Sequence, residues 1–277
     1  RAVSPNISLD RFYSKQDELK IINELIELSA PTKKKPTIFL WPEGIIPESY
    51  LEDMSMYKNL FSNSFGDDDV IIMGLSSIEK KADKDLFFNS MVVFNNKLDL
   101  IEKYNKVNLV PFGEYVPFEN ILSLIGLKTI TNEYQSYSRG SPRKPLYIKN
   151  NKINLSLLPL ICYEIIYSGK ISKNQSFDYI INISEDGWFR KSIGPKQHFS
   201  HSIFRSIEQG KYIIRAANNG ISAVVNPLGI VEQETKFGSI GFVDLSESKQ
   251  VKSTPFAVYG NKIFLMLILL YIFLIFS

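Results

Sequence analysis

Short apolar runs rich in β-branched and aromatic residues recur along this chain, at 38–41, 70–75, 87–94, 98–104, 155–161, 179–183, 212–215, 222–225 and 240–243. Runs of that length, stopped by proline, glycine or asparagine, read as strands. Asn95-Asn96 reads as the turn joining the third run to the fourth, and Pro227-Leu228-Gly229 as another turn. Helical spacing is rarer. Residues 17–28 put Leu19, Ile22, Leu25 and Ile26 on one face; a helix is expected from Ile165 onward, and 200–209 forms one that Gly210 can end. Strands interleaved with a few helices call for two sheets packed face to face, with helices outside. At 277 residues and 44% hydrophobic content the chain can bury one large core.

Composition removes several classes of function. A net charge of +3 from 32 basic and 29 acidic residues leaves no basic stripe for nucleic acid. Lys33-Lys34-Lys35 reads as a solvated turn, and a single cysteine excludes an internal disulfide. The first residue is Arg1, with no apolar targeting segment after it, so a processed product or an excised piece of a longer chain is expected. The other end is different, because 263–276 is an unbroken run of fourteen apolar residues. As a helix it covers about 21 Å, short of a hydrocarbon core of about 30 Å; counted from Phe256, twenty-one residues reach about 31 Å. A run with no polar face is expected to be a membrane helix, with Lys262 snorkelling near its end. The expected division is 1–255 for a catalytic domain and 256–277 for the membrane helix.

Chemistry-bearing residues cluster where the apolar runs stop. Cys162 follows 155–161 and precedes Tyr163-Glu164, on an expected strand-to-helix turn whose positive end favours a thiolate. The ordinary alternative is an inert buried thiol. Glu43, fixed between Pro42 and Gly44, and Lys106, just past a strand, have surface residues as their ordinary alternatives. Together the three make chemical sense. Glu43 can take the Cys162 proton, Lys106 can stabilise an oxyanion, and Glu114 can orient either Lys106 or the substrate. Glu164 is expected to hold the turn. His198 and His201 lie three apart with no third histidine or cysteine nearby, so no metal site is expected. Residues 117–130 carry many apolar side chains and little charge. They are expected to form an arm over an acyl chain, with core packing as the alternative.

Trp-Pro-Glu at 41–43, Tyr-x-Lys-x-x-Leu-Val-Pro-Phe-Gly-Glu-Tyr-Val-Pro at 104–117 and Cys-Tyr-Glu at 162–164 resemble the signature of the nitrilase superfamily's Glu-Lys-Cys enzymes. Further stretches (Asp186-Gly187-Trp188-Phe189, Ile193-Gly194-Pro195 with Gln197-His198, Arg205 with Glu208, and 215–221) are similar to its apolipoprotein N-acyltransferase branch. The resemblance runs over about 1–245. It implies an α/β fold, a nitrilase-like four-layer αββα sandwich with a C-terminal transmembrane helix. It also implies Glu43 as general base, Lys106 as oxyanion stabiliser, Cys162 as nucleophile and Glu114 in support, with no metal and no cofactor.

The implied reaction moves a fatty acyl chain from a phospholipid donor through a cysteine thioester to the N-terminal amine of an apolipoprotein. The implied location is the bacterial inner membrane, with the domain facing the periplasm, and the expected state is a monomer that binds no nucleic acid. Two alternatives are a nitrilase-type amidase and an inactive detached domain. The sequence departs from the branch in four places. No bundle of membrane helices precedes Arg1; Glu185-Asp186 replaces Asn-Asp, Arg190 replaces a glycine, and Asn226-Pro227 replaces Asp-Pro.

Overall fold

In a computed structural model, residues 1–13, 17–46, 49–81, 84–117, 136–172, 175–249 and 251–276 are described. The expected apolar arm at 117–130 lies, past Pro117, outside the described residues. The apolar runs become two six-stranded sheets. In the first, β1 (Ala2–Ser4), β2 (Ile38–Leu40) and β3 (Val70–Glu79) run parallel, and β3 continues antiparallel into β4 (Leu86–Asn95) and β5 (Leu100–Asn105). In the second, β7 (Asn154–Ile161), β8 (Tyr179–Glu185) and β9 (Ile213–Asn218) are parallel. Antiparallel neighbours flank them: β6 (Leu146–Lys149) beside β7, then β10 (Ala223–Val225) and β11 (Val231–Glu234) beyond β9. The last strand, β12 (Gly241–Val243), returns to pair antiparallel with β1.

The period of two along each strand sets the layers. Val70 and Ile72 point into the inter-sheet core with Leu157, Ile161, Ile181 and Ile183. Their neighbours Ile71 and Met73 face the other way, under α1 (Glu18–Ser29) and α2 (Lys58–Ser64), among Ile22, Leu25 and Phe61. On the second sheet Leu158, Leu160 and Ile180 face outward against Phe199 of α3 (Gly194–Gln209). The order is helix, sheet, sheet, helix, as expected. Asp17 caps α1 by accepting the Lys20 N–H at 3.2 Å, and Gly210, at φ +62°, ends α3.

Two expectations need correction. The helix expected from Ile165 onward is a short 3₁₀ turn, Cys162–Ile166, in which Glu164 points inward to pair with Tyr104 of β5 and with Arg143. The C-terminal run also does not form one long helix. It breaks at Gly260, φ +53°, into α4 (Pro255–Tyr259) and α5 (Lys262–Phe276). The fifteen residues of α5 rise about 22 Å, and among the described residues no helix is long and apolar enough to cross a membrane. Nearly every side chain of α5 is exposed, and the apolar surface runs all round it.

Candidate active site

Glu43, Lys106 and Glu114 come together at one end of the sandwich. The chain leaves β2 through Trp41, which is fully buried and donates its indole N–H to Ser29 Oγ at 2.8 Å, so the backbone is anchored just before Glu43. β3 passes directly beneath. A Cβ on Gly74 would sit 2.6 Å from Glu43 Cα, so only glycine permits this approach. Lys106 follows β5, and its ammonium lies 3.1 Å from Glu43 Oε1 and 2.9 Å from Glu114 Oε1. Only 1% of the Lys106 side chain is exposed, so the ordinary surface-lysine reading is wrong. Burial pulls the Lys106 ammonium down, but the charges of Glu43, Glu114 and Cys162 outweigh it and hold the group well above its ordinary value.

Asn89, in mid-strand on β4, donates to Glu43 Oε1 at 2.8 Å and to Glu114 Oε1 at 2.7 Å. The backbone N–H of Glu185 fixes Glu43 Oε2 at 3.1 Å, and that of Val110 fixes Glu114 Oε2 at 2.8 Å. Each carboxylate therefore has both oxygens anchored.

Cys162 follows directly on β7, in the left-handed region, φ +48°, where a side chain with a Cβ costs roughly 1–2 kcal/mol. The residue as a whole is half-buried, and its sulfur points inward. Burial and the Glu43 charge push the Cys162 thiol up; Lys106 and the Ser184 hydroxyl pull it down without prevailing. The expectation that a helix end would favour a thiolate is thus reversed. There is one 3₁₀ turn rather than a helix, and the Glu43 charge opposes a thiolate. Glu43 and Lys106 both act electrostatically on Cys162, with opposite signs.

Glu164 is fully buried, with both of its oxygens hydrogen-bonded. Its Oε1 accepts from Tyr104 OH at 2.7 Å, Arg143 Nη2 at 2.7 Å and the Val107 and Asn108 N–H groups at 3.0 Å each. Its Oε2 accepts from the Ile161 N–H at 3.0 Å. The departure at Glu185 is compensated, because Arg11 pairs with it in a buried salt bridge and Asn218 donates to it at 2.7 Å. Arg190, by contrast, takes φ +52° on an exposed turn, a conformation suited to the glycine it replaces.

His198 is not turned toward His201; its ring meets Asp186 Oδ1 at 2.9 Å and the Cys162 carbonyl at 3.2 Å. Among the described residues no cluster of histidine, cysteine and carboxylate could hold a metal. Sequence reasoning missed Asn89, Arg143 and Arg11. The one local signal was for Asn89, a polar pair with Ser90 in an otherwise apolar strand.

Two facing sheets with an elbow cysteine and a buried lysine between carboxylates define a nitrilase-like α/β domain. The chain belongs to the carbon-nitrogen hydrolase family, whose pattern matches residues 4–251. It is 34% identical over 255 residues to the apolipoprotein N-acyltransferase of Agrobacterium fabrum, covering 90% of this chain and 47% of that protein. The protein of that name from Caulobacter vibrioides is 31% identical, covering 98% of this chain and 52% of the relative. That from Rickettsia prowazekii is 33% identical, covering 86% and 48%. The chain therefore spans about half the length of the curated relatives it matches.

Among solved structures it is similar to a carbon-nitrogen hydrolase superfamily protein of Xanthomonas campestris with an arsenic adduct in its active site. That likeness has a TM-score of 0.57 at 15% identity and covers 84% of each chain. An amidase from Nesterenkonia sp. AN1, with acrylamide added at its active-site cysteine, gives 0.54 at 13% identity over 86% of this chain and 87% of that one. At such identities the likeness establishes the fold.

Proposed function

We propose that this chain carries the acyl-transfer centre of an apolipoprotein N-acyltransferase. The observation that supports it most is 34% identity over 90% of this chain to a protein of that name. In the first half-reaction Cys162 Sγ attacks the ester carbonyl of a phospholipid. Glu43 takes the thiol proton and returns it to the departing alkoxide, leaving an acyl thioester and a lysophospholipid. The tetrahedral oxyanion is stabilised by Lys106, whose ammonium is already desolvated and needs little reorganisation. In the second half the α-amino group of a lipid-modified N-terminal cysteine on an apolipoprotein attacks the thioester. Glu43 carries the amine proton to the departing sulfur and an amide results. Glu114 keeps Lys106 in place, and Glu164 supports the Cys162 turn.

The division at 255 goes with this reading. Residues 1–255 form the catalytic domain, and 256–277 bury their apolar surface in lipid. Because α5 is shorter than a hydrocarbon core, it inserts incompletely or extends the bilayer contact of neighbouring helices. The site then faces the periplasmic side of a bacterial inner membrane, as a monomer.

The test is incubation of the chain in detergent micelles with an acyl-labelled phospholipid. The expected result is hydroxylamine-sensitive label on Cys162 that persists until a lipopeptide amine is added. Discharge of the label by water, together with hydrolysis of small amides, would replace this reading with that of an amidase. Absence of both would leave an inactive domain.

A further inference from the structure

The geometry points to His198 as a positioning residue that holds the Cys162 turn in its working shape, a role that rests on Cys162 being the acyl carrier. A closed circuit of hydrogen bonds starts and ends on the same strand end. Asn182 donates to the Leu160 carbonyl at 3.0 Å, and Arg215 Nη1 donates to Asn182 Oδ1. Arg215 Nη2 grips Asp186 at 2.9 and 2.8 Å. His198 Nδ1 meets Asp186 Oδ1 at 2.9 Å and Arg215 Nη2 at 3.2 Å, and in the tautomer protonated at Nε2 His198 donates to the Cys162 carbonyl at 3.2 Å. Asn182, Asp186 and Arg215 are fully buried and His198 is 4% exposed, so water does not compete for these bonds.

The ring cannot rotate away. Ser184 Oγ donates to Asp186 Oδ1 at 2.7 Å, Phe189 packs against the imidazole at 5.3 Å, and a Cβ on Gly220 would lie 2.3 Å from Asp186 Oδ2. The circuit reaches β7 at Leu160 and the turn after it at Cys162, on either side of the point where the backbone turns left-handed. His198 is therefore the link that keeps the Cys162 carbonyl, and with it the Cα–Sγ direction, aimed at Glu43 and Lys106. Without that bond the turn relaxes toward an ordinary conformation. A displacement near 1 Å costs roughly 100-fold in rate.

Two variants separate positioning from filling. The amide of Gln occupies roughly the place of Nε2, and that of Asn roughly the place of Nδ1. His198→Gln therefore keeps the bond to Cys162, while His198→Asn keeps only the bond to Asp186. Thioester formation from labelled phospholipid is measured with the full chain, and alkylation of Cys162 by iodoacetamide is measured beside it. The expected result is a kcat roughly 100-fold lower for Asn with KM unchanged, and a kcat within about 10-fold of the parent for Gln. Equal rates for the two variants would overturn the role, as would a failure of either to fold, which would make the bond a general strut. If the unaltered chain takes no acyl label at all, the acyl-transfer reading fails instead. Alkylation still decides the role of His198, with Asn differing from Gln if it positions the sulfur and matching it if it does not.

Discussion

Glu164 accepts the backbone N–H of Val107 at 3.0 Å, so the turn carrying Cys162 and the segment just after Lys106 hang on one carboxylate. The same group pairs with Arg143 at 2.7 Å in a region closed to water. Glu164→Gln keeps the shape and leaves the Arg143 guanidinium buried without its counter-charge. Urea unfolding should show a loss of about 3–5 kcal/mol, far more than a surface glutamate would give.

Lys106→Met leaves Glu43 and Glu114 facing each other through Asn89 with no cation between them. Such a variant should be destabilised by about 3 kcal/mol near neutral pH. In the parent chain the pH dependence comes from the ammonium itself. The folded ammonium is held above its unfolded value, so its stabilisation is complete below about pH 10.4 and disappears as pH rises through the folded value. Denaturant midpoints across pH for both proteins check this.

Glu43 raises the Cys162 thiol, so Glu43→Gln should lower it and increase the thiolate at a given pH. Alkylation of Cys162 by iodoacetamide should become faster in that variant while acyl transfer disappears, because the proton carrier is gone. Opposite movement of the two rates is the expected signature. Parallel loss would remove Glu43 from the role of base.

Burial pushes the Asp186 carboxyl up, yet Arg215 together with hydrogen bonds from His198 and Ser184 outweighs it and holds the group at about 2. A depressed carboxylate stabilises the fold above its unfolded value near 3.9, and that contribution is lost as pH falls through about 2. The amount is roughly 2–3 kcal/mol. Acid titration of the fold should show this loss between about pH 4 and 2, and Asp186→Asn should abolish that part of the pH dependence.

Arg11 and Glu185 form a buried pair between segments far apart in sequence. Arg11→Met alone strands a carboxylate that burial already pushes up, and Glu185→Gln alone strands a guanidinium. Each single change should cost about 3–5 kcal/mol, and the double change much less than their sum. Thermal or urea unfolding of all four proteins measures the coupling directly.

Much of the fold was legible because alternation along a strand is a local property. Residues 70–75 and 155–161 announced strands that the structure extends to Val70–Glu79 and Asn154–Ile161. Strands with weak patterns were not legible. β1 has three residues, and β11 is mostly exposed, so burial left little trace in either sequence. The terminal apolar run was read as one helix because hydropathy does not register a backbone break such as that at Gly260, where φ is +53° and a Cβ would lie 2.9 Å from the Gly169 carbonyl oxygen.

By itself the sequence determined where the reactive groups stand on the chain: Glu43, Lys106 and Cys162 each follow an apolar strand, and strand ends are written in local residue order. Only the tertiary structure decided what those groups meet. Lys106 reaches Glu43 across 63 positions, and Arg11 reaches Glu185 across 174. It also turned Cys162 left-handed beneath His198 and placed its thiol where burial and the Glu43 charge push it up. The physical reason is that charge, burial and hydrogen-bond geometry depend on separation in space, which periodicity along the chain does not encode.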